Sequence, residues 1–216
     1  MIGASARPPP RRPAIDFSVN QARLFGDSIA GMDDEARRAR DAWIACRCQL
    51  GEPEGFEILV SEMQRPLFYY VVKLLGNEDV ALDVLQEVWV KVFRGIRALR
   101  APEALRAWLY RVARGTALNR VRDDEARAKA EEPLDDRRDS AVDVEDPTGF
   151  GSHEAVEIHE ALDRLDRPQR EVLVLLFLEG LSVDEIAAVV GVPAGTVKSR
   201  VHHAKKALRE LLGSRS

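Results

Sequence analysis

The sequence predicts an all-α fold of two small helical domains joined by a flexible acidic linker. Three observations carry that expectation. Apolar residues recur at spacings of three and four along most of the chain; Ala, Leu, Arg and Glu dominate while β-branched runs stay short; and an acidic stretch containing Pro and Gly interrupts the pattern near the middle. The domains are expected at 32–128 and 153–216, with the linker over 129–152. Residues 1–31, rich in Pro, Arg, Gly and Ser, read as a disordered extension.

The first helix is expected from about Asp33 to Leu50, where Gly51-Glu-Pro-Glu-Gly55 breaks it. The run from Phe56 to Leu75 contains Pro66, and a bend or a helix start is expected there because proline has no N–H to donate. Gly76 fits a helix end and Asn77 an N-cap, with Glu78 and Asp79 in the first turn, where the helix dipole favours negative charge. This helix should reach about Ile96 and turn Val80, Val84, Leu85, Val88, Val92 and Phe93 toward a core. Its other face carries Asp83, Glu87 and Lys91 with Gln86 alongside. By spacing alone that face is a solvated, salt-bridged one, in which Glu87 and Lys91 contribute only ~0.3 kcal/mol.

Pro102 opens the next helix, with Leu105, Trp108, Leu109 and Val112 on one stripe, a break at Gly115, and an end near Ala130. Arg106, Trp108, Tyr110, Arg111, Arg114, Asn119, Arg120 and Arg122 mix aromatic and basic character. Rings that stack on bases beside cations that hold phosphates suit single-stranded nucleic acid. The spacing of Trp108 also fits a core residue, and Tyr110 reads as the more exposed of the two.

After helices resuming near His153, Ser182-Val-Asp-Glu185 forms a capping box, Gly191 ends a short helix, and Val192-Pro-Ala-Gly195 makes a turn. A longer helix then carries Val197, Val201, Ala204, Leu208 and Leu211 on one stripe. Thr196, Ser199, His202, His203 and Lys206 lie opposite, flanked by Lys198, Arg200 and Lys205. A short helix, a tight turn and a longer helix with polar and basic residues near its start is the helix-turn-helix plan, whose second helix enters the major groove.

Charge is segregated in the same way. Nine bases and one acid lie between Lys91 and Arg122, twelve acids and two bases between Glu131 and Asp163, and five bases without an acid between Lys198 and Arg209. The net charge of −4 therefore conceals two polyanion-binding stretches. No apolar run approaches the ~20 residues that span a bilayer. Met1 to Arg12 lacks the apolar core of a secretory signal, so a cytoplasmic chain without membrane insertion is expected. Cys46 and Cys48 have no His nearby and read as two reduced thiols on a helix, so neither a metal nor a cofactor is expected. No nucleophile–base pair, phosphate-binding Gly loop or metal-carboxylate cluster speaks for an enzyme, and Asp135, Asp136 and Asp139 fall in the linker. A stand-alone helix-turn-helix regulator would account for the C-terminal half alone.

Four stretches taken together resemble the extracytoplasmic-function group of bacterial RNA polymerase sigma factors. They are Asp83-Val-Leu-Gln-Glu-Val-Trp-Val-Lys-Val-Phe93, Ala107-Trp-Leu-Tyr-Arg-Val-Ala113, Leu165-Asp-Arg-Pro-Gln-Arg-Glu-Val172 and Gly195-Thr-Val-Lys-Ser-Arg-Val-His-His-Ala-Lys-Lys206. The resemblance runs from about Trp43 to Leu212 and implies a region-two domain, a linker and a region-four domain. It implies that Asp83, Gln86, Glu87 and Lys91 belong to a surface that grips the clamp helices of core RNA polymerase. It assigns the downstream (minus-ten) promoter box and its melted non-template strand to Trp108, Tyr110, Arg111, Arg114, Asn119 and Arg122. The upstream (minus-thirty-five) box, as duplex DNA, falls to Thr196, Lys198, Ser199, Arg200, His202, His203 and Lys206. The linker would thread toward the polymerase cleft, and the resemblance allows for a restraining anti-sigma protein. Two departures stand out. Gly115 replaces an Asn common near the flipped-base pocket, and His203 replaces a common Arg, which implies an altered preference in each box.

Overall fold

In a computed structural model of the chain, residues 32–130 and 153–213 are described. The sequence readings for the N-terminal extension and for nearly all of the linker lie outside those residues. Eight α-helices occur among them: α1 (Met32–Gln49), α2 (Pro53–Leu75), α3 (Glu78–Gly95), α4 (Leu105–Ala130), α5 (His153–Asp163), α6 (Arg167–Leu173), α7 (Val183–Val190) and α8 (Ala194–Gly213). Short 3-10 turns at Ile96–Ala98 and Pro102–Ala104 lead from α3 into α4, and a π-helical turn, Val174–Leu178, prolongs α6.

Local chemistry sets the boundaries. Gly76 adopts the left-handed conformation (φ 70°) that ends α2, and its N–H donates to the Val72 carbonyl. The Asn77 side chain then accepts from the Val80 N–H at 3.0 Å to start α3. Asp166 caps α6 by accepting from Gln169 N–H at 2.8 Å. Pro66 lies inside α2, which runs unbroken from Pro53 to Leu75. The expected helix start at that proline does not occur. Proline forfeits one backbone hydrogen bond, whereas the turns that follow it bury Leu67, Tyr69, Tyr70, Val71, Val72 and Leu74. Gly115 likewise leaves α4 continuous. One exposed glycine costs a helix only about 1 kcal/mol, too little to break one anchored by Leu105, Leu109, Ala113 and Ala117.

α2 is the central element, in contact with α1, α3, α4 and α6. Where α1 crosses it, Gly55 permits a close backbone approach: a Cβ there would stand 2.9 Å from Arg47 Cβ and 3.0 Å from backbone atoms of Arg47 and Cys48. Asp41 of α1 is buried and takes two hydrogen bonds from Arg106 of α4, both at 3.2 Å. The C-terminal helices form their own small core from Ile158, Leu162, Leu173, Phe177, Ala204 and Leu208. The N-terminal core, however, does not end at α4. Val172, Val174, Leu175, Leu181, Ile186 and Val189 join the cluster built from α1 to α4. The sequence suggested two helical units on a tether and carried no expectation of contact between them; in the structure they share one apolar core.

Replacing Gly55 with Ala should destabilise the chain by about 1–3 kcal/mol, because the clash is partly with backbone that cannot rotate away. Urea unfolding of the variant against the parent measures it, and an unchanged midpoint would show that the α1–α2 crossing has slack.

Candidate nucleic-acid and protein interfaces

α3 presents a mixed acidic and apolar face. Asp83, Gln86, Glu87 and Lys91 are exposed, and Glu87 and Lys91 stand 3.7 Å apart. Lys91 also donates to Thr116 Oγ1 of α4 at 3.1 Å, which ties the end of this face to the neighbouring helix. Leu82 and Val90 are each 49% exposed and Phe93 66%. Phe93 was expected in the core. It lies instead on the outer side, where its ring packs at a tilt against that of Phe56, centroids 5.0 Å apart. The inward stripe is already filled by Ala81, Val84, Leu85, Val88 and Val92. Leu82, Gln86, Val90 and Phe93 recur at helical spacing as a second stripe, the signal that could have placed Phe93 from sequence. Apolar side chains grouped among acids distinguish this face from a merely solvated one.

α4 has two faces with different fates. Arg111, Asn119 and Arg122 are exposed. Trp108 is half-buried and closes over the end of α3, where a Cβ on Gly95 would meet its ring at 3.2 Å. Tyr110, expected to be the more exposed aromatic, is fully buried. Its ring packs edge-on against Tyr70 with centroids 5.2 Å apart, and its hydroxyl donates to Glu179. Arg114 donates through Nε to Glu171 Oε1 at 2.7 Å, the same oxygen that accepts from the Tyr70 hydroxyl at 2.8 Å. The α4 side chains expected to meet nucleic acid therefore fall into an open group and a covered pair. The cover comes from two acids that bracket the seven-residue apolar run Val172–Leu178. Isolated acids bracketing a core segment are the sequence sign of a specific buried partner.

The helix-turn-helix is formed by α7 and α8. Ser182 accepts from Glu185 N–H at 3.3 Å and Glu185 accepts from Ser182 N–H at 2.8 Å, so both limbs of the capping box are made. Gly191, with φ 75°, ends α7, and the Pro193 carbonyl accepts from Thr196 N–H at 2.9 Å as α8 begins. Val197, Ala204 and Leu208 are buried, which fixes the roll of α8. Lys198, Ser199, His202, His203 and Lys206 are exposed, while Thr196 and Arg200 are half-buried at the edges. Lys205 turns back over the Phe177 ring, 5.1 Å from its centroid, so this cation braces the domain. No described helix is long and apolar enough to cross a membrane.

The same sigma-70 architecture emerges from comparison with known proteins. Residues 59–127 match the model of sigma-70 region 2, and residues 155–208 match that of sigma-70 region 4. The chain is 31% identical over 181 residues to the RNA polymerase sigma-H factor of Pseudomonas aeruginosa, covering 80% of this chain and 94% of that protein. It is 30% identical over 170 residues to the ECF RNA polymerase sigma-E factor of Escherichia coli K12, covering 75% and 88%. Among solved structures, the sigma factor RpoE in complex with the anti-sigma factor NepR from Bartonella quintana shares the fold, with a TM-score of 0.60 and 24% identity over 73% of this chain and 96% of that one. CnrH in complex with the cytosolic domain of CnrY has a TM-score of 0.56 and 23% identity, covering 82% and 99%.

Burial pushes the Glu179 carboxyl up to about 6, although the Tyr110 hydroxyl and the Arg106 guanidinium both work against it. A carboxyl raised in the folded state costs stability as pH climbs. Folding stability is therefore greatest below the ordinary carboxylate range, and about 2 kcal/mol of it is lost as pH rises from there through about 6, because burial penalises the charged form. A side-chain carboxyl titration of Glu179 by NMR should give a midpoint near 6; an ordinary carboxylate midpoint would show that water reaches this group.

Proposed function

Because this chain belongs to the extracytoplasmic-function group of bacterial RNA polymerase sigma factors, we infer that it binds core RNA polymerase, delivers it to specific promoters and helps to open the DNA. Support for the reading rests on one observation above all: matches to both region 2 and region 4 occur in a single chain, each on a helical unit that exposes the appropriate chemistry. A stand-alone regulator is not favoured, since it has no use for the region-two segment. Sigma factors are regulatory subunits, so the bond-forming chemistry in this reading is the polymerase's, in the cytoplasm. One structural relative was solved with an anti-sigma factor, and an equivalent restraining partner for this chain is part of the proposal.

In this proposal the exposed α3 face, with Asp83, Gln86, Glu87 and Lys91 among Leu82, Val90 and Phe93, takes hold of the polymerase. Apolar side chains supply the buried area and the acids set orientation and partner choice. Ser199, His202 and His203 on α8 reach base edges in the upstream box. Lys198, Arg200 and Lys206 neutralise phosphates, with Thr196 at the helix start. Arg111, Asn119 and Arg122, with the half-buried Trp108 and with Tyr110 and Arg114 once uncovered, engage the melted non-template strand. Capturing unpaired bases offsets an unstacking cost of a few kcal/mol. Two modest DNA contacts on one polymerase reinforce each other through effective concentration.

Run-off transcription with core polymerase on a library of promoter fragments tests the reading: specific transcripts should appear only when the chain is present. Duplex binding without core-dependent transcripts would overturn it. Asp83→Ala combined with Glu87→Ala should weaken core binding with the helical content intact, because both side chains are exposed and their removal costs the fold little. Ser199→Ala or His203→Ala should relax upstream-box discrimination by about 1–3 kcal/mol per lost base contact, read from competition between promoter variants.

A further inference from the structure

We propose that His202 and His203 couple duplex binding by α8 to proton uptake, so that this helix holds its upstream box more tightly at mildly acidic than at mildly alkaline pH. The inference deepens the upstream-box reading given above and rests on it. Both rings are exposed, on the side of α8 away from the buried Val197, Ala204 and Leu208. They meet edge-on, with centroids 5.6 Å apart. Lys198 and Lys206 stand one turn to either side of His202, and no acid occurs between Lys198 and Arg209. Imidazole is the side chain whose charge changes between roughly pH 5 and 8. A surface of permanent cations thus carries two groups whose charge depends on pH.

Charged groups on the helices that pack against α8 are engaged elsewhere. On α7, Glu185 caps its own helix and meets Arg37 of α1, while Asp184 is exposed in the first turn. On α6, Glu171 accepts from Tyr70 and Arg114, and Arg170 donates to the carbonyls of Lys73 and Leu165; Arg167 is a further cation there. On α5, Asp163 holds Lys73, His159 shares a hydrogen bond with Tyr69, and Glu157 and Glu160 have partners of their own. Within α8, Glu210 pairs with Lys206 at 4.0 Å. Among the described residues no hydrogen bond or ion pair joins a carboxylate to either ring. DNA supplies the missing anions. A phosphate close to an imidazole favours its charged form, so the bound helix holds more protons than the free one. Affinity therefore falls as pH rises. Two imidazolium rings at 5.6 Å repel each other, so uptake approaches one proton rather than two. A charged ring on a phosphate also releases a counterion, which steepens the dependence on salt.

Anisotropy of a labelled mixed-sequence duplex of about 30 base pairs, titrated with the free full-length chain at low salt, reads this linkage without polymerase. The dissociation constant should rise roughly fivefold or more from pH 6 to pH 8. The slope of log affinity against log salt should be steeper at the lower pH by up to about 0.9. His202→Gln combined with His203→Gln should flatten the pH profile, whatever its level. Glu179 and His159 are retained in that variant, so a slope that survives belongs elsewhere. His203→Arg supplies a permanent cation and should strengthen binding at the higher pH while reducing the slope. With holoenzyme on a fragment that gives core-dependent transcripts, the ratio of wild-type to double-Gln affinity should fall by a similar factor over the same pH range. Equal duplex affinity at both pH values in the wild type overturns the proposal. So does a slope left intact by the double variant, a constant ratio in the holoenzyme, or no duplex binding at the lower pH. Missing transcripts alongside proton-linked duplex binding count against the sigma function and leave the linkage standing.

Discussion

Two carboxylates from the C-terminal helices, Glu171 and Glu179, are buried among side chains of the N-terminal bundle, and their satisfaction organises much of the described structure. An unpaired charge in such a place costs several kcal/mol. Glu171 accordingly takes hydrogen bonds from Tyr70 and Arg114, and Glu179 takes one from Tyr110. Those donors have supports of their own. Tyr70 and Tyr110 pack edge to face, and one turn before Tyr110 on α4, Arg106 is held by the buried Asp41 of α1. A chain of polar contacts thus runs from α1 through α4 to the α6–π segment, within the apolar cluster that both units share.

That arrangement explains why α4 does not behave as a simple amphipathic helix. Leu105, Leu109, Ala113 and Ala117 face the bundle, Arg111, Asn119 and Arg122 face solvent, and Tyr110 and Arg114 face the second unit. A surface proposed to engage melted DNA has to be polar and aromatic at once. Left open, it would leave a large ring and a guanidinium in water; covered by carboxylates, it becomes part of a core. A carboxylate and a phosphate make similar demands on a guanidinium, so Arg114 is satisfied by Glu171 here.

The exposed faces of α3 and α8 are built differently. On α3 the inward stripe of Ala81, Val84, Leu85, Val88 and Val92 is complete, so Leu82, Val90 and Phe93 have no place in the core and remain at the surface beside the acids. On α8 the buried Val197, Ala204 and Leu208 set the roll, and the capping box and Gly191 set the entry angle. Both faces are thus fixed in direction by a short list of buried neighbours and are exposed while the two units share a core.

The sequence by itself determined the helices, most of their ends, the helix-turn-helix and the family. The Asn77 cap, the left-handed glycines 76 and 191, the Ser182–Glu185 box and the 3.6-residue stripes all act within a turn or two of chain, and local chemistry can be read from local residues. The exceptions have the same cause. Pro66 and Gly115 are local helix breakers overruled by burial along the rest of their helices. Phe93 and Tyr110 were misplaced because periodicity gives the angle of a side chain around its helix and does not say which distant element covers that angle. Only the tertiary structure decided that Arg114 meets Glu171, 57 residues away, and that Tyr70 meets the same carboxylate across 101 residues. Those pairings arise where two separately legible helical units bury a common apolar surface, and no spacing within either unit encodes that.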